Sequence, residues 1–455
     1  MRFTKITASI GPSCEDKKTL TEMIKAGVNV CRLNFSHDTG DIQGAKIDLI
    51  RNISKQLNKH VAIMIDIQGP KHRIGDFETE RHYKLKIGQK FILDSDPTPG
   101  NERRVQLPDI DVMRSLSVGN RILLNDGKIE LRVDAVFDDK IETTVVRGDE
   151  IWSRRGFNLP DTDVDTDILT EKDKKDLEYA ITKNPDFVAL SFVQRAEDVA
   201  YVRDFINERT NQPVKLIAKI ERPNAVKRIT DIVNAADGIM IARGDLAVEM
   251  PFETVPAISR HIIRECRKLN RPVIIATQML SSMVHSEFPT RAEISDVANA
   301  AYLRTDSTMT SEETTIGDNP VAVIETMDKI LSYTDMDTVE NPYDWSRVDN
   351  TPENDWSRSV SSMAHLNNAV AIVVFARDTD ISTQIACRRP DIPIVAVCSD
   401  ETTANQLCLL RGVFPICDDV LYGQRDAFNS VRQFGIGIGK LVIVDEEKIS
   451  LRTIE

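Results

Sequence analysis

Three charged side chains near the ends of two apolar runs are the residues best suited to chemistry. Lys219 and Glu221 close the run Val214–Glu221, and side-chain alternation along a strand points both to one side. Asp245 lies near the end of the next run, Gly238–Val248. Such runs, rich in β-branched residues, are typical of buried parallel strands. Two interpretations stay open: an ion pair that caps a strand, or two carboxylates and a lysine that hold a divalent metal beside an anionic substrate.

The elements that must position these residues alternate between strand-like runs and stretches with helical spacing. The predicted strands are TKITASIG, NVCRLNF, HVAIMIDI, FVALSFV, VKLIAKIE, GIMIARGDL, PVIIATQM and STMTSEET. The predicted helices include Ile42–Leu57, Ile258–Leu269 and Val321–Ile330, and Thr170 and Asp173 have the spacing of a capping box. Eight strand–helix units predict an α/β protein built on a (β/α)8 TIM barrel, whose functional residues lie at the C-terminal ends of the strands.

Two further stretches depart from the barrel pattern. Between Lys71 and about Arg155, short alternating runs separated by turn residues predict an inserted small β-barrel domain. The polar stretch Ser332–Asp355 predicts a linker, and the alternation that follows it predicts a C-terminal α/β domain with a parallel sheet. The predicted domains are 1–69 and 156–335 for the two parts of the barrel, 70–155 for an inserted β-barrel lid and 336–455 for the C-terminal domain.

Charge and composition exclude several classes of function. The chain of 455 residues has a formal net charge of -13, which argues against nucleic acid as a partner. No apolar run reaches transmembrane length and the chain enters a strand without a signal or transit peptide, so we expect no membrane association. The 7 cysteines show no CxxC spacing and the 7 histidines no metal-ligand cluster, which favours reduced thiols in the cytoplasm.

Motifs along the chain carry a resemblance to a known family. In order they are TKITASIGPS, VCRLNFSH, IDIQGPKHR, LTEKDKKDL, LIAKIERP, MIARGDLAVE, ATQMLSSM and PTRAEISDVANA. Together they resemble the successive motifs of pyruvate kinases, and the two additional domains fall where that family has them. The resemblance implies that the protein transfers the phosphoryl group of phosphoenolpyruvate to ADP, giving pyruvate and ATP in glycolysis. It also implies a homotetramer.

The resemblance assigns roles to the charged residues by position. Glu221 and Asp245 resemble the ligands of a divalent metal, Mg²⁺ or Mn²⁺, that bridges the enolpyruvate oxygens and the moving phosphoryl group. Lys219 resembles the lysine that neutralises charge on that group. Arg32 resembles the arginine that holds it in line.

Further roles follow from the same resemblance. Thr277 resembles a threonine on the route that protonates the enolate, and the backbone N–H groups of Gly244 and Asp245 would receive the substrate carboxylate. The residues that resemble nucleotide contacts are His37, Arg73 and Arg155, the last standing where the family often has Lys. Buried ion pairs on a barrel without chemistry, and plain surface positions for His37 and Arg155, are the alternatives.

The monovalent-cation region departs from the family. Asn34, Ser36 and Asp66 resemble three ligands of the K⁺ ion that many members use, but Ile67 stands where the fourth is usually Thr. Lys71 stands where K⁺-dependent members have Glu, and a fixed ammonium can replace a bound K⁺. We therefore predict activity without K⁺. The alternative for Lys71 is a solvated charge at a domain hinge.

The eighth strand and the C-terminal domain also depart from the family. Thr308 and Thr310 replace apolar residues, Arg304 replaces Gly, and Glu312 adds a carboxylate that could bind metal, raise nearby pKa values or pair with Arg304. In the C-terminal domain, the turn ARDTDIST has two carboxylates where many members cradle an effector phosphate, which predicts no activation by fructose 1,6-bisphosphate. Two rival hypotheses remain: an impaired, non-catalytic homologue that binds ligands or proteins, and another metal-dependent barrel enzyme, such as a lyase.

Overall fold

The chain begins with strands and helices that alternate as predicted. In the computed structural model, which describes residues 1–36, 38–79, 82–162, 164, 166–340, 355–446 and 448–454, they are β1 (Lys5–Ile10), α1 (Lys17–Ala26), β2 (Val30–Asn34), α2 (Gly40–Leu57) and β3 (Ala62–Ile67). Helix α1 stops at Gly27, whose φ of 126° favours glycine. The strands are buried along nearly their whole length, as their apolar sequences require.

The insertion after β3 is a β domain, called the lid below. Its elements are β4 (Tyr83–Lys84), β5 (Lys90–Asp94), β6 (Arg104–Gln106), α3 (Ile110–Ser115), β7 (Arg121–Leu124), β8 (Ile129–Val136), β9 (Lys140–Arg147), β10 (Glu150–Ile151) and β11 (Phe157–Asn158). The described strands form an open six-stranded sheet, in the order β11-β7-β8-β9-β5-β6, and a pair β10-β4, rather than a closed barrel. The edge strands β11 and β6 are only two and three residues long, too short to close the sheet. Strand β11 lies beyond residue 155, and the domain boundaries stay predictions.

The second part of the barrel pattern continues to residue 340. Its elements are α4 (Glu171–Ile181), β12 (Phe187–Leu190), α5 (Ala196–Asn207), β13 (Lys215–Ile220), α6 (Pro223–Lys227), α7 (Ile229–Ala235), β14 (Gly238–Ala242), α8 (Arg243–Glu249), α9 (Val255–Lys268), β15 (Val273–Ala276), α10 (Arg291–Tyr302), β16 (Ser307–Thr310), α11 (Glu312–Thr315) and α12 (Pro320–Glu340). The capping box at Thr170 and Asp173 is confirmed. Helix α12 contains the first part of the predicted linker, and residues 341–354 lie outside the described ranges.

Eight parallel strands close into a barrel, which confirms the (β/α)8 prediction. Their order is β1-β2-β3-β12-β13-β14-β15-β16, and β16 pairs with β1. Side chains that include Met64, Ile217, Met240 and Ile274 fill its interior. Strands β13 and β14 are neighbours, with Lys219 in register with Met240, so the residues that follow both strands meet at one rim.

The C-terminal domain is a separate α/β unit. Its elements are α13 (Asp355–Leu366), β17 (Ala369–Ala376), α14 (Asp380–Cys387), β18 (Ile394–Cys398), α15 (Glu401–Leu407), β19 (Val413–Cys417), α16 (Asp419–Gln424), α17 (Ala427–Arg432), β20 (Gly439–Asp445) and β21 (Lys448–Ile454). Strands β19, β18, β17 and β20 are parallel, as predicted, and β21 adds an antiparallel edge that the sequence analysis did not predict.

Buried charges join the C-terminal domain to the barrel. Arg389 donates to Asp306 at 2.7 Å, and Arg411 donates to Asp335 at 2.6 Å. On β1, the Lys5 ammonium donates to the carbonyl of Val413 at 2.6 Å. These contacts fasten the domain to the end of the barrel opposite the C-terminal strand ends. Within the described ranges, no helix has the length and apolarity that a membrane span requires.

Candidate active site

The rim of the barrel brings Lys219, Arg32 and Asp66 together. The Nε of Arg32, on β2, donates to Oδ2 of Asp66 at 2.7 Å, and the Lys219 ammonium donates to Oδ1 at 3.2 Å. Burial alone would raise the pKa of the Asp66 carboxyl, but Lys219 and Arg32 hold that pKa below its ordinary value. The carboxylate therefore stays ionised and anchors two cations that face one space.

Glu221 completes this group of charges from the end of β13. Its Oε1 lies 3.0 Å from the Lys219 ammonium, and its Oε2 accepts from the backbone N–H of Phe192 at 2.7 Å. Burial raises the pKa of the Glu221 carboxyl, and Asp245 raises it further against the pull of Lys219. For Lys219, burial alone would lower the ammonium pKa, but Asp66 and Glu221 raise it to about 12. Lys219 is therefore charged at neutral pH.

Helix α8 presents Gly244 and Asp245 beside Thr277. The backbone N–H of Gly244 donates to Oγ1 of Thr277 at 2.8 Å, and that hydroxyl donates to the carbonyl of Ala276 at 2.7 Å. The φ of Thr277 is 68°, a strained conformation for a β-branched residue and one that is common at functional sites. Arg243 supports this turn by donating to the carbonyl of Thr277 at 2.7 Å.

Glu221 and Asp245 fit a divalent metal. Each of the two carboxylates follows one of two neighbouring barrel strands, and Asp245 disfavours ionisation of Glu221, so a cation between them would relieve their repulsion. Mg²⁺ commonly takes one or two protein carboxylates and completes its shell with water and substrate phosphate. The described residues contain no cluster of three or more side chains that would form an all-protein metal cage. Two carboxylates match the smaller donor set.

The residues of the predicted monovalent-cation region lie close to this site but not all in one cluster. The Oδ1 of Asn34 accepts from the backbone N–H of Ser36 at 3.0 Å, and Asp66 carries Arg32 and Lys219. Lys71 is exposed, with its Cε 3.0 Å from where a Cβ on Gly156 would stand. Lys71 thus lies at the connection between barrel and lid.

The predicted nucleotide contacts lie at the same connection. Arg73 is exposed and donates to the carbonyl of Arg154 at 3.0 Å. The guanidinium of Arg155 lies 4.4 Å from the centre of the Trp152 ring. His37 lies outside the described residues. The two arginines are therefore close in the chain fold and would face a ligand that enters between barrel and lid.

The eighth strand is stabilised by hydrogen bonds between its hydroxyl groups and their neighbours. Ser307 shares a 2.8 Å hydrogen bond with Thr7, and Thr310 shares one of 3.0 Å with Thr314. Polar side chains in this strand therefore do not leave unpaired groups in the barrel.

Glu312 and Arg304 are not partners. Glu312 is exposed, whereas Arg304 is buried and forms an ion pair of 2.8 Å with Asp391 of the C-terminal domain. The proposed pairing was wrong because the two residues serve different surfaces. Arg304 has a φ of 54°, which accounts for glycine as an alternative at this position. It is the next residue, Glu313, that is buried, and it accepts from the backbone N–H groups of Leu280 and Ser311.

Two serines belong to the site although the sequence analysis did not assign them to it. Ser191 accepts from the Lys219 ammonium at 2.7 Å and donates to the carbonyl of Ile67 at 2.7 Å. Ser9 accepts from Nη1 of Arg32 at 2.7 Å and donates to the carbonyl of Thr310 at 2.8 Å. The available signal was their place at the C-terminal ends of barrel strands.

Fold and site together define a kinase-type transferase on a (β/α)8 barrel, with two cations and two carboxylates at the rim. The sequence matches the family model described as pyruvate kinase, barrel domain, over residues 1–324, and the model described as pyruvate kinase, alpha/beta domain, over residues 354–444. The chain belongs to the pyruvate kinase family.

Individual relatives agree over nearly the whole chain. A pyruvate kinase of Methylorubrum extorquens is 38% identical, over 97% of this chain and 93% of the relative. One of Thermococcus litoralis is 37% identical, over 95% of this chain and 92% of the relative. The crystal structure of a pyruvate kinase from Cryptosporidium parvum superposes with a TM-score of 0.92 at 30% identity, covering 100% of this chain and 96% of the other. Both the sequence and the arrangement of domains are thus those of the family.

Proposed function

We propose that this chain transfers the phosphoryl group of phosphoenolpyruvate to ADP, giving pyruvate and ATP in glycolysis. The observation that carries the proposal is the pair of cations, Arg32 and Lys219, held by one carboxylate beside Glu221. Phosphoryl transfer needs mainly positioning and charge stabilisation, and a preorganised pair of cations supplies both. The nearly full-length similarity to pyruvate kinases supports the same reaction.

Each side chain of the site has a distinct part in this reaction. A divalent cation on Glu221 and Asp245, Mg²⁺ or Mn²⁺, would supply charge neutralisation on the enolpyruvate and phosphoryl oxygens. Arg32 and Lys219 hold the phosphoryl group in line for transfer. The backbone N–H groups of Gly244 and Asp245 receive the substrate carboxylate. Because the Gly244 N–H is bonded to Thr277 in this structure, the substrate carboxylate would take the place of that hydroxyl.

Thr277 lies on the route that brings a proton to the enolate. Its hydroxyl can rotate between the carbonyl of Ala276 and a bound molecule once Gly244 is engaged elsewhere. A hydroxyl with an ordinary high pKa relays a proton best through water rather than giving up its own. The enolate carbon would thus be protonated from solvent by way of Thr277.

The nucleotide would bind between the barrel and the lid. Arg73 is exposed there and Arg155 lies over Trp152, so both guanidinium groups are available to the phosphates of ADP. His37 is assigned to the same subsite by position in its motif. We assign the charge usually provided by K⁺ to Lys71, which leaves the reaction independent of K⁺.

The C-terminal domain serves assembly rather than sugar-phosphate binding in this proposal. The exposed carboxylate of Asp378 already accepts the backbone N–H of Asp380 at 2.9 Å, so a phosphate at this turn would meet negative charge. Tyr333 and Met336 of α12 expose 72% and 55% of their surface, which supports an interface with further copies in a homotetramer. The seven free cysteines support a reducing compartment, the cytoplasm.

A coupled assay tests the proposal. Pyruvate formation from phosphoenolpyruvate and ADP is measured with Mg²⁺, after removal of Mg²⁺ by chelation, and in Lys219→Met. We expect turnover only with Mg²⁺, and a loss of at least about a thousandfold in the variant, since the site loses a charge that acts on the transferred group. Binding of phosphoenolpyruvate without turnover in the wild type would favour a non-catalytic homologue.

A further inference from the structure

Glu249 is a buried carboxyl group that the proposed reaction does not use. It is the last residue of α8, and only 5% of it is exposed. Its Oε1 accepts a hydrogen bond of 2.8 Å from the side-chain amide of Asn158, which belongs to β11 of the lid. A buried acid is costly unless a partner satisfies it, and this partner comes from another domain.

Helix α8 has one end in the substrate site and the other against the lid. Gly244 and Asp245 lie in its first turn, while Val248 and Glu249 lie in its last. The Cγ1 of Val248 is 3.4 Å from where a Cβ on Gly127 would stand, so the turn between β7 and β8 also rests on this helix. A helix of seven residues is about 10 Å long, and both ends move together if it shifts as a rigid body.

The charges that face Glu249 come from the barrel and from the lid. Burial raises the pKa of the Glu249 carboxyl. Arg222, which follows Glu221, and the amide of Asn158 act against that rise; Asp245 adds to it and Arg121 of the lid opposes it. The surroundings of Glu249 thus include a metal-ligand candidate on its own helix and a cation on the lid.

We propose that Glu249 and Asn158 form a clasp that positions the lid against α8. Both are positioning residues: they act through α8 on the pocket at Gly244 and Asp245, and through the lid on Arg73 and Arg155. The clasp rests on the proposed function, since it sets where the lid holds ADP relative to phosphoenolpyruvate. Loss of the clasp weakens nucleotide binding more than phosphoenolpyruvate binding, because the nucleotide subsite includes lid residues.

Steady-state kinetics of the full chain tests the clasp. Asn158→Ala and Glu249→Leu each remove one partner, and we expect the KM for ADP to rise about tenfold while the KM for phosphoenolpyruvate changes less than about threefold. Glu249→Gln keeps a side-chain carbonyl oxygen that can accept from Asn158, so it should restore a near wild-type KM for ADP. Glu253→Gln, an exposed carboxylate just beyond α8, is the matched control and should change neither KM.

Hydrogen exchange in the absence of substrates gives a second measurement. We expect faster exchange of lid amides around Gly127 in Asn158→Ala and Glu249→Leu, but not in Glu249→Gln or Glu253→Gln. The clasp is refuted if both measurements stay within about twofold of wild type, or if both KM values rise equally while lid exchange is unchanged. If the wild type shows no turnover, the proposed function fails, and lid exchange alone still decides the clasp.

Discussion

Arg32 and Lys219 are joined through a single carboxylate, that of Asp66. The two bonds measure 2.7 Å and 3.2 Å and end on different oxygens of the carboxylate. Each cation has a second anchor, Ser9 for Arg32 and Ser191 for Lys219. Such double anchoring fixes the two positive charges before the substrate arrives, which lowers the reorganisation that the reaction requires.

Removing the hydroxyl of Ser9 should loosen Arg32. In Ser9→Ala the guanidinium keeps Asp66 but loses its bond of 2.7 Å to Oγ. We expect kcat/KM for phosphoenolpyruvate to fall about tenfold, since a hydrogen bond to a charged group contributes about 1.5–3 kcal/mol. Ser9→Thr keeps the hydroxyl and is the control. Equal losses in both variants would mean that volume at this position, not the hydroxyl, matters.

Activity should not depend on K⁺. We expect turnover in a tetraalkylammonium salt to stay within about twofold of turnover in K⁺ at equal ionic strength, because Lys71 carries a fixed charge near the site. Lys71→Met should lower turnover, while Lys84→Met, an exposed lysine of the lid, should not. A several-fold stimulation of the wild type by K⁺ would contradict the prediction. It would leave Lys71 as a solvated charge at the hinge.

The buried pair Asp306–Arg389 should contribute strongly to stability. Both side chains are almost completely buried, and Asp306 also accepts the backbone N–H groups of Val273 and Arg411. Asp306→Asn leaves a buried guanidinium without its carboxylate, and we expect a loss of about 3–5 kcal/mol in the free energy of unfolding.

An exposed ion pair is the control for that measurement. Asp76 pairs with Arg154 on the lid surface, and Asp76→Asn should cost less than about 1 kcal/mol. Calorimetry of the full chain compares the two variants, and a multidomain chain requires that each transition be followed separately. Similar melting profiles for both variants would show that the interdomain pair is not a main source of stability.

Lys5 should make the contact with the C-terminal domain sensitive to pH. Burial lowers the pKa of its ammonium from 10.5 to about 7. Between pH 7 and about 10 the folded state therefore binds fewer protons than the unfolded state, so stability rises with pH across this window. Below pH 7 both states carry the charge and the cost of burying it is present in full.

The variant Lys5→Met isolates this effect. The difference in stability between wild type and Lys5→Met should shift in favour of wild type from pH 7 to pH 9, by at most about 1.4 kcal/mol per pH unit. Lys25→Met, which changes an exposed lysine, should follow the wild-type curve in parallel. Thermal denaturation at several pH values gives the comparison. Parallel curves for Lys5→Met would show that Lys5 does not titrate in this range.

Local patterns in the sequence were sufficient for the barrel and for most of its rim. The period of two along β13 places Lys219 and Glu221 on one side, and the alternation of strands and helices brings Asp245 to the neighbouring strand end. The stop at Gly27 and the capping box at Thr170 are also decided by residues a few positions apart. Such features follow from backbone geometry and side-chain spacing, which are local.

Tertiary structure alone decided which charged groups meet. Asp66 holds Arg32 and Lys219 because three strands that are distant in sequence share one barrel, and Arg304 meets Asp391 rather than Glu312 because another domain covers its side of the barrel. The open sheet of the lid and the clasp between Asn158 and Glu249 likewise depend on how separate segments pack. A sequence pattern reports the face on which a side chain lies, but its partner is set by the register and docking of segments far away in the chain.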